Sequence, residues 1–134
     1  MRLTPYIFFP GNAEEALHFY EDVFGGRISD LKRYEGSPME NVAQDKQKLM
    51  HARVSFGESM IMVCDGPEGT TSASNIQLSV EFSDVNTMNE RFKKLAEGGK
   101  VTMDLQDTFW GAKFGMLVDK FGIAWMFNHD RPKQ

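Results

Sequence analysis

The sequence predicts an α+β fold: two repeated β-α-β-β-β modules whose curved mixed sheets enclose a cavity. Three observations carry this expectation. Two amphipathic segments have apolar stripes that superimpose at one constant offset, Ala13, Ala16, Tyr20, Val23 and Phe24 falling on Val85, Met88, Phe92, Leu95 and Ala96. Both segments end in Gly-Gly, at Gly25-Gly26 and at Gly98-Gly99. Each is preceded by one strand-like segment and followed by three.

In chain order, the first strand is expected over residues 3–9. Asn12 then opens a helix, with Glu15 placed to complete a capping box in which the Asn oxygen takes an N3 amide and the Glu reaches back. Leu17 joins the apolar stripe, and the glycines after Phe24 stop the helix. Strands follow over 27–34, 49–56 and 59–65, with the polar, aperiodic stretch 35–48 as a loop. The segment 66–74, GPEGTTSAS, reads as a linker. The chain is thus one domain over 1–134, with module one at 1–65 and module two at 75–129. In the second module the strand over 75–82 alternates, with Ile76, Leu78, Val80 and Phe82 on one face and Asn75, Gln77, Ser79 and Glu81 on the other. Ser83-Asp84 signals the second helix, and strands are expected over 100–105, 113–119 and 123–128.

Turn geometry assigns side chains to faces. A two-residue turn at Gly57-Glu58 pairs Phe56 with Ser59, so that Ala52, Val54, Phe56, Ile61 and Val63 pack under the helix. The opposite face then carries His51, Arg53 and Ser55 beside Met60, Met62 and Cys64. A four-residue turn over 119–122 pairs Val118 with Ile123, which puts Phe114, Met116, Val118, Ile123, Trp125 and Phe127 under the second helix. Lys113, Gly115, Leu117, Ala124, Met126 and Asn128 form the other face. Ile7, Met60, Met62, Leu117 and Met126 argue that these mixed faces are covered rather than solvated, as the walls of a ligand pocket are.

Composition narrows the function. With 134 residues, 41% hydrophobic and 25% charged, the chain is an ordinary globular protein rather than a rod or a disordered tail. No stretch is long and apolar enough to span a bilayer, and the N-terminus does not read as a signal peptide, so no membrane partner is expected. Fifteen Lys+Arg against nineteen Asp+Glu, without a basic cluster, argue against a nucleic-acid partner. The one cysteine, Cys64, forms no intramolecular disulfide and suits a reducing cytoplasm.

Three segments, LTPYIFFPGNAEEALHFYEDVFGG, MHARVSFGESMIMVCD and QDTFWGAKFGMLVDKFGIAWMFN, carry a resemblance that with the second helix covers nearly the whole chain. The duplicated module resembles the vicinal oxygen chelate superfamily of glyoxalases, extradiol dioxygenases and bleomycin- and fosfomycin-resistance proteins, and within it the PhnB-like branch. In the metal-dependent members, the resemblance implies His, Gln or Glu ligands on the first, fourth, fifth and eighth strands. Alignment puts Pro5, Met62, Asn75 and Met126 there. Proline offers no side-chain donor, thioethers are too soft for Mg, Mn or Ni, and one amide is weak. No metal and no cofactor are therefore expected. The resemblance also implies a homodimer. The methyltransferase-like label of some branch members finds no Gly-rich strand-to-helix turn here.

The candidate ligand-binding set is His51, Arg53, Met62, Cys64, Asn75, Gln77, Glu81, Trp110, Lys113 and Met126. His51 is a general base or a polar anchor, and Glu81 is an acid/base group or a salt-bridge partner for Arg53 or Lys113. Cys64 beside His51 is a thiolate nucleophile or a small buried residue. Trp110 is an aromatic lid or a packing residue. His18 and His129 are expected at the surface. The expected function is a cytoplasmic small-molecule-binding protein. The alternatives are an enzyme (lyase, isomerase or dioxygenase-like) using His51, Glu81 or a shifted metal site, and a partner-binding dimer with a vestigial cavity.

Overall fold

The computed structural model describes residues 1–43, 45–67, 69–71, 75–109 and 111–130, without the side chain of residue 42. Its elements are β1 (Tyr6–Phe9), α1 (Ala13–Phe24), β2 (Arg27–Arg33), a 3-10 turn (Glu40–Val42), β3 (Leu49–Phe56), β4 (Ser59–Asp65), β5 (Leu78–Glu81), α2 (Val85–Leu95), β6 (Lys100–Asp107), β7 (Ala112–Val118) and β8 (Ala124–Asp130). The chain divides into two compact units, Met1–Thr71 and Ser72–Gln134. Each is a β-α-β-β-β module with a four-stranded sheet, in the orders β1-β4-β3-β2 and β5-β8-β7-β6. The α+β class and the two β-α-β-β-β modules read from the sequence are the ones observed. Both sheets are mixed, because β1 runs parallel to β4 and β5 to β8 while the remaining pairs are antiparallel. Among the described residues no helix is long and apolar enough to cross a membrane.

The helices form where the stripes place them. Ala13, Ala16, Leu17, Tyr20, Val23 and Phe24 are all buried on α1, and Met88, Phe92 and Leu95 on α2. Each large apolar side chain so buried contributes roughly 1.5–3 kcal/mol. Phe24 stacks on Phe56 at 4.5 Å between ring centroids, and Phe92 meets Phe127 edge-on at 5.3 Å. The Gly-Gly pairs divide two tasks. Gly25 and Gly98 adopt φ of 64° and 73°, which only glycine reaches without strain. Gly26 and Gly99 let the chain pass close to the neighbouring strand: a Cβ on Gly26 would lie 2.8 Å from the Ser55 carbonyl oxygen, and one on Gly99 would collide with that of Val118.

The start of α1 departs from the capping box. Asn12 occupies the cap position but makes no side-chain cap bond, and its Oδ1 is buried without a partner. The Asp65 carboxylate caps instead. Its Oδ1 accepts from Ala13 N at 2.9 Å and its Oδ2 accepts from Leu49 N at 2.9 Å. Asn12, with ψ of 27°, lacks the extended backbone that aims a cap side chain at the N2 and N3 amides, and the Asp65 charge meets the positive end of the helix from another strand. Helix α2 is capped locally as its sequence indicates, Asp84 accepting from Thr87 N at 2.8 Å.

The β3–β4 hairpin has the expected register, Phe56 opposite Ser59 and Ala52 opposite Val63. The β7–β8 hairpin is shifted by one residue, with Val118 opposite Ala124 rather than Ile123. The cause is Asp119, only 3% exposed. Its Oδ1 accepts from Phe121 N and Ile123 N, its Oδ2 accepts from Trp125 Nε1, and its own N–H donates to the Ile123 carbonyl. Ile123 is thereby consumed by the turn. The slip exchanges the faces of β7. Gly115 and Leu117 lie on the buried side with Trp125 and Phe127, while Phe114, Met116 and Val118 share the other side with Ala124 and Met126. Two strands are also shorter than expected, β1 beginning at Tyr6 and β5 at Leu78.

Replacing Asp65 by Asn leaves one acceptor oxygen for two buried N–H groups. We expect a loss of about 1–3 kcal/mol of folding free energy. Urea unfolding monitored by circular dichroism measures it, and a midpoint indistinguishable from the parent would refute the capping role.

Candidate functional site

In the first unit, cross-strand pairing gathers side chains from all four strands on the sheet face away from α1. Tyr6 pairs with Met62, Phe8 with Cys64 and Arg53 with Met62, while Arg27, Ser29 and Lys32 of β2 lie opposite Ser55, Arg53 and His51. Of the expected set, His51, Arg53, Met62 and Cys64 share this face. Ile7 does not; it pairs with Val63 on the helix side. Tyr6 and Phe8 take its place, a substitution the sequence could not show because Tyr6-Ile7-Phe8-Phe9 is apolar on both faces.

A chain of polar contacts crosses the face. The Tyr6 hydroxyl lies 2.9 Å from His51 Nδ1, Arg53 Nε lies 3.4 Å from His51 Nε2, and Arg53 pairs with Asp30 at 3.3 Å. A guanidinium only donates, so Nε2 must accept and the imidazole carries its proton on Nδ1, which donates to Tyr6. Desolvation, with the cations of Arg53 and Lys32 nearby, pushes the His51 pKa below its ordinary value, against a smaller opposite pull from Asp30. Tyr6 is 41% exposed, yet its hydroxyl end turns inward, where burial and then Cys64 push its pKa up to about 12. Burial likewise raises the pKa of Cys64, which is 3% exposed. Cys64 is therefore a buried thiol, and the hydrogen bonds of His51 go to Tyr6 and Arg53.

The remaining candidates lie in the second unit. Ser79 and Glu81 pair with Met126 and Asn128, so Glu81 and Met126 share the sheet face away from α2, with Glu81 exposed. Lys113 is corrected by the register shift: it sits opposite His129 on the helix side, and its ammonium donates to Asn89 Oδ1 at 3.0 Å. Asn75 and Gln77 are exposed and precede β5 rather than belonging to it. Arg53 and Lys113, proposed partners of Glu81, are engaged by Asp30 and Asn89. Trp110 lies outside the described residues. His18 is exposed as expected, whereas His129 is half-buried, its Nδ1 lying 2.8 Å from the Phe82 carbonyl oxygen.

A cavity of about 330 Å³ opens at the start of α1, lined by Gly11, Asn12, Glu14, Arg33, Gln47 and Lys48 among others. Its cations are already used. Arg33 forks onto both carboxylate oxygens of Glu14, and Lys48 donates to the Gly11 carbonyl at 2.8 Å. Among the described residues no group of three or more His, Cys, Asp or Glu is placed to hold a metal ion. The four positions that the resemblance sets against metal ligands offer a poor donor set: Pro5 spends its carbonyl on Met62 N at 2.9 Å, Met62 and Met126 present thioethers, and Asn75 is a neutral amide.

Two duplicated mixed-sheet modules, each with one helix-covered face, define a protein class, and comparison with known proteins identifies it. The chain belongs to the glyoxalase/bleomycin resistance protein/dioxygenase superfamily, whose profile matches residues 2–127. It is 33% identical to protein YjdN of Escherichia coli over 96% of this chain and 95% of that one. It superimposes on protein PA1353 of Pseudomonas aeruginosa with a TM-score of 0.88 and 34% identity, covering 98% and 99% of the two chains. The PhnB protein of Bacillus cereus matches with a TM-score of 0.81 and 26% identity over 96% and 99%, which supports the PhnB-like branch.

Two measurements check this site. The His51 imidazole should titrate below its ordinary value of about 6.5 in an NMR pH series, and Arg53→Gln should raise the midpoint. Because the folded-state pKa is depressed, the associated stability is present above that value and lost as pH falls through the lower folded midpoint. Cys64 should react with a disulfide reagent at a rate set by unfolding; fast stoichiometric labelling of the native protein contradicts a buried thiol.

Proposed function

We propose that this chain is a small-molecule-binding protein whose ligand lies on the first sheet, against Tyr6, Phe8, His51, Arg53 and Met62, with no metal at the positions inherited from metal-dependent relatives. The observation that carries this reading is the Tyr6–His51–Arg53–Asp30 chain of contacts. It presents ordered polar groups beside aromatic rings that remain 41% and 53% exposed at Tyr6 and Phe8. Apolar surface with a few fixed polar groups is the make-up of a ligand site. Both ring nitrogens of His51 are engaged, which favours an anchoring role over proton transfer. We propose also that the protein acts in the cytoplasm as a homodimer, exposed apolar side chains outside the strands of that face, such as Met39 and Phe109, adding surface for association.

A thermal-shift screen across small aromatic and oxygenated compounds tests the binding reading. We expect at least one compound to raise Tm, an equal shift after chelator treatment, and loss of the shift in His51→Ala. Stoichiometric Zn, Ni, Mn or Fe in the purified protein, removed together with ligand affinity by chelation, would overturn it. Light scattering should give twice the monomer mass.

A further inference from the structure

The irregularity in β2 changes which residues face His51. Pairing runs from Ser29 opposite Arg53 to Lys32 opposite His51, so β2 carries one residue more than β3 over this stretch. Asp30 lies in the extra turn with φ of 51°, the left-handed region that a non-glycine residue seldom occupies. An uninterrupted ladder would set Leu31 opposite His51. The bulge instead turns Leu31 to the surface, 37% exposed, sets Lys32 in its place and brings the Asp30 carboxylate to Arg53.

The charge on this face is then unlike that of the molecule. The chain as a whole carries a net charge of -4. The first-sheet face presents Arg27, Lys32 and Arg53 beside His51, against a single carboxylate, Asp30. No other acid comes from the strands of that face: β1 and β3 contain none, and Asp65 of β4 points to the start of α1. Next to the cations lie Tyr6, Phe8 and Met62. We infer that the ligand of this face is an amphipathic anion, an aromatic or apolar body bearing one carboxylate, sulfonate or phosphate, with Lys32 and Arg53 meeting the anion. The inference rests on the proposed binding role of the face and adds the chemical class. Asp30 acts as a placeholder, occupying Arg53 until the anion arrives.

Two fluorescent probes separate the claims: anilinonaphthalene sulfonate and its uncharged parent, phenylnaphthylamine. We expect the sulfonate to bind the wild-type protein about tenfold more tightly at low salt, the gain of a single charge-assisted contact. Lys32→Gln, which removes a cation without touching the groups that hold His51, should bring the ratio of sulfonate to neutral-parent affinity down to near one, and Arg53→Gln should lower the same ratio. Asp30→Gly, which suits the positive φ and frees Arg53, should strengthen sulfonate binding several-fold. Equal binding of both probes by the wild type overturns the anion inference and leaves the pocket reading standing. Weaker sulfonate binding by Asp30→Gly also overturns it. Failure of both probes to bind overturns the two readings together.

Discussion

The first unit is organised around one buried carboxylate. Asp65, 4% exposed at the end of β4, accepts from the first N–H of α1 and from the first N–H of β3, and its carbonyl accepts from the Tyr34 hydroxyl at 2.8 Å. Three segments distant in sequence therefore meet on one residue. The burial of this charge is offset only because both oxygens are bonded and one faces a helix N-terminus. Fixing Leu49 at the start of β3 also fixes where His51 and Arg53 emerge. The helix cap and the candidate site are consequences of one anchor.

A second buried carboxylate works differently in the second unit. Asp119 accepts from three groups of its own hairpin, Phe121 N, Ile123 N and Trp125 Nε1. Asp65 joins elements and Asp119 sets a register. The two modules share helix stripes, strand order and glycine stops, yet the local polar bonds that set their side-chain faces are unrelated. Duplication preserved the apolar frame, while polar detail diverged where the frame does not dictate it.

That divergence bears on chemistry within the superfamily. The resemblance read from the sequence sets Pro5, Met62, Asn75 and Met126 at the places of the nitrogen or oxygen ligands it implies for metal-dependent members. A divalent ion stripped of water needs several such donors, and one amide with two thioethers does not replace them. The first-sheet face instead carries a histidine held as one tautomer between a tyrosine and an arginine. Such a face can orient a ligand without a Lewis acid. The fold thus supplies a sheet surface on which different polar sets can be mounted.

The sequence alone determined what depends on periodicity and on glycine. The α1 and α2 stripes, the duplicated module and the β3–β4 register with His51, Arg53, Met62 and Cys64 on one face all follow from short-range patterns that burial enforces. Tertiary structure decided what depends on competition between distant groups. Asp65 rather than Asn12 supplies the side-chain oxygen at the start of α1, and Asp119 moved Lys113 to the helix side. The β2 bulge exchanged Leu31 for Lys32 opposite His51. In each case the local pattern permitted two arrangements of similar cost. A charged or bulged contact from elsewhere in the fold, worth about 1–3 kcal/mol, selected one of them.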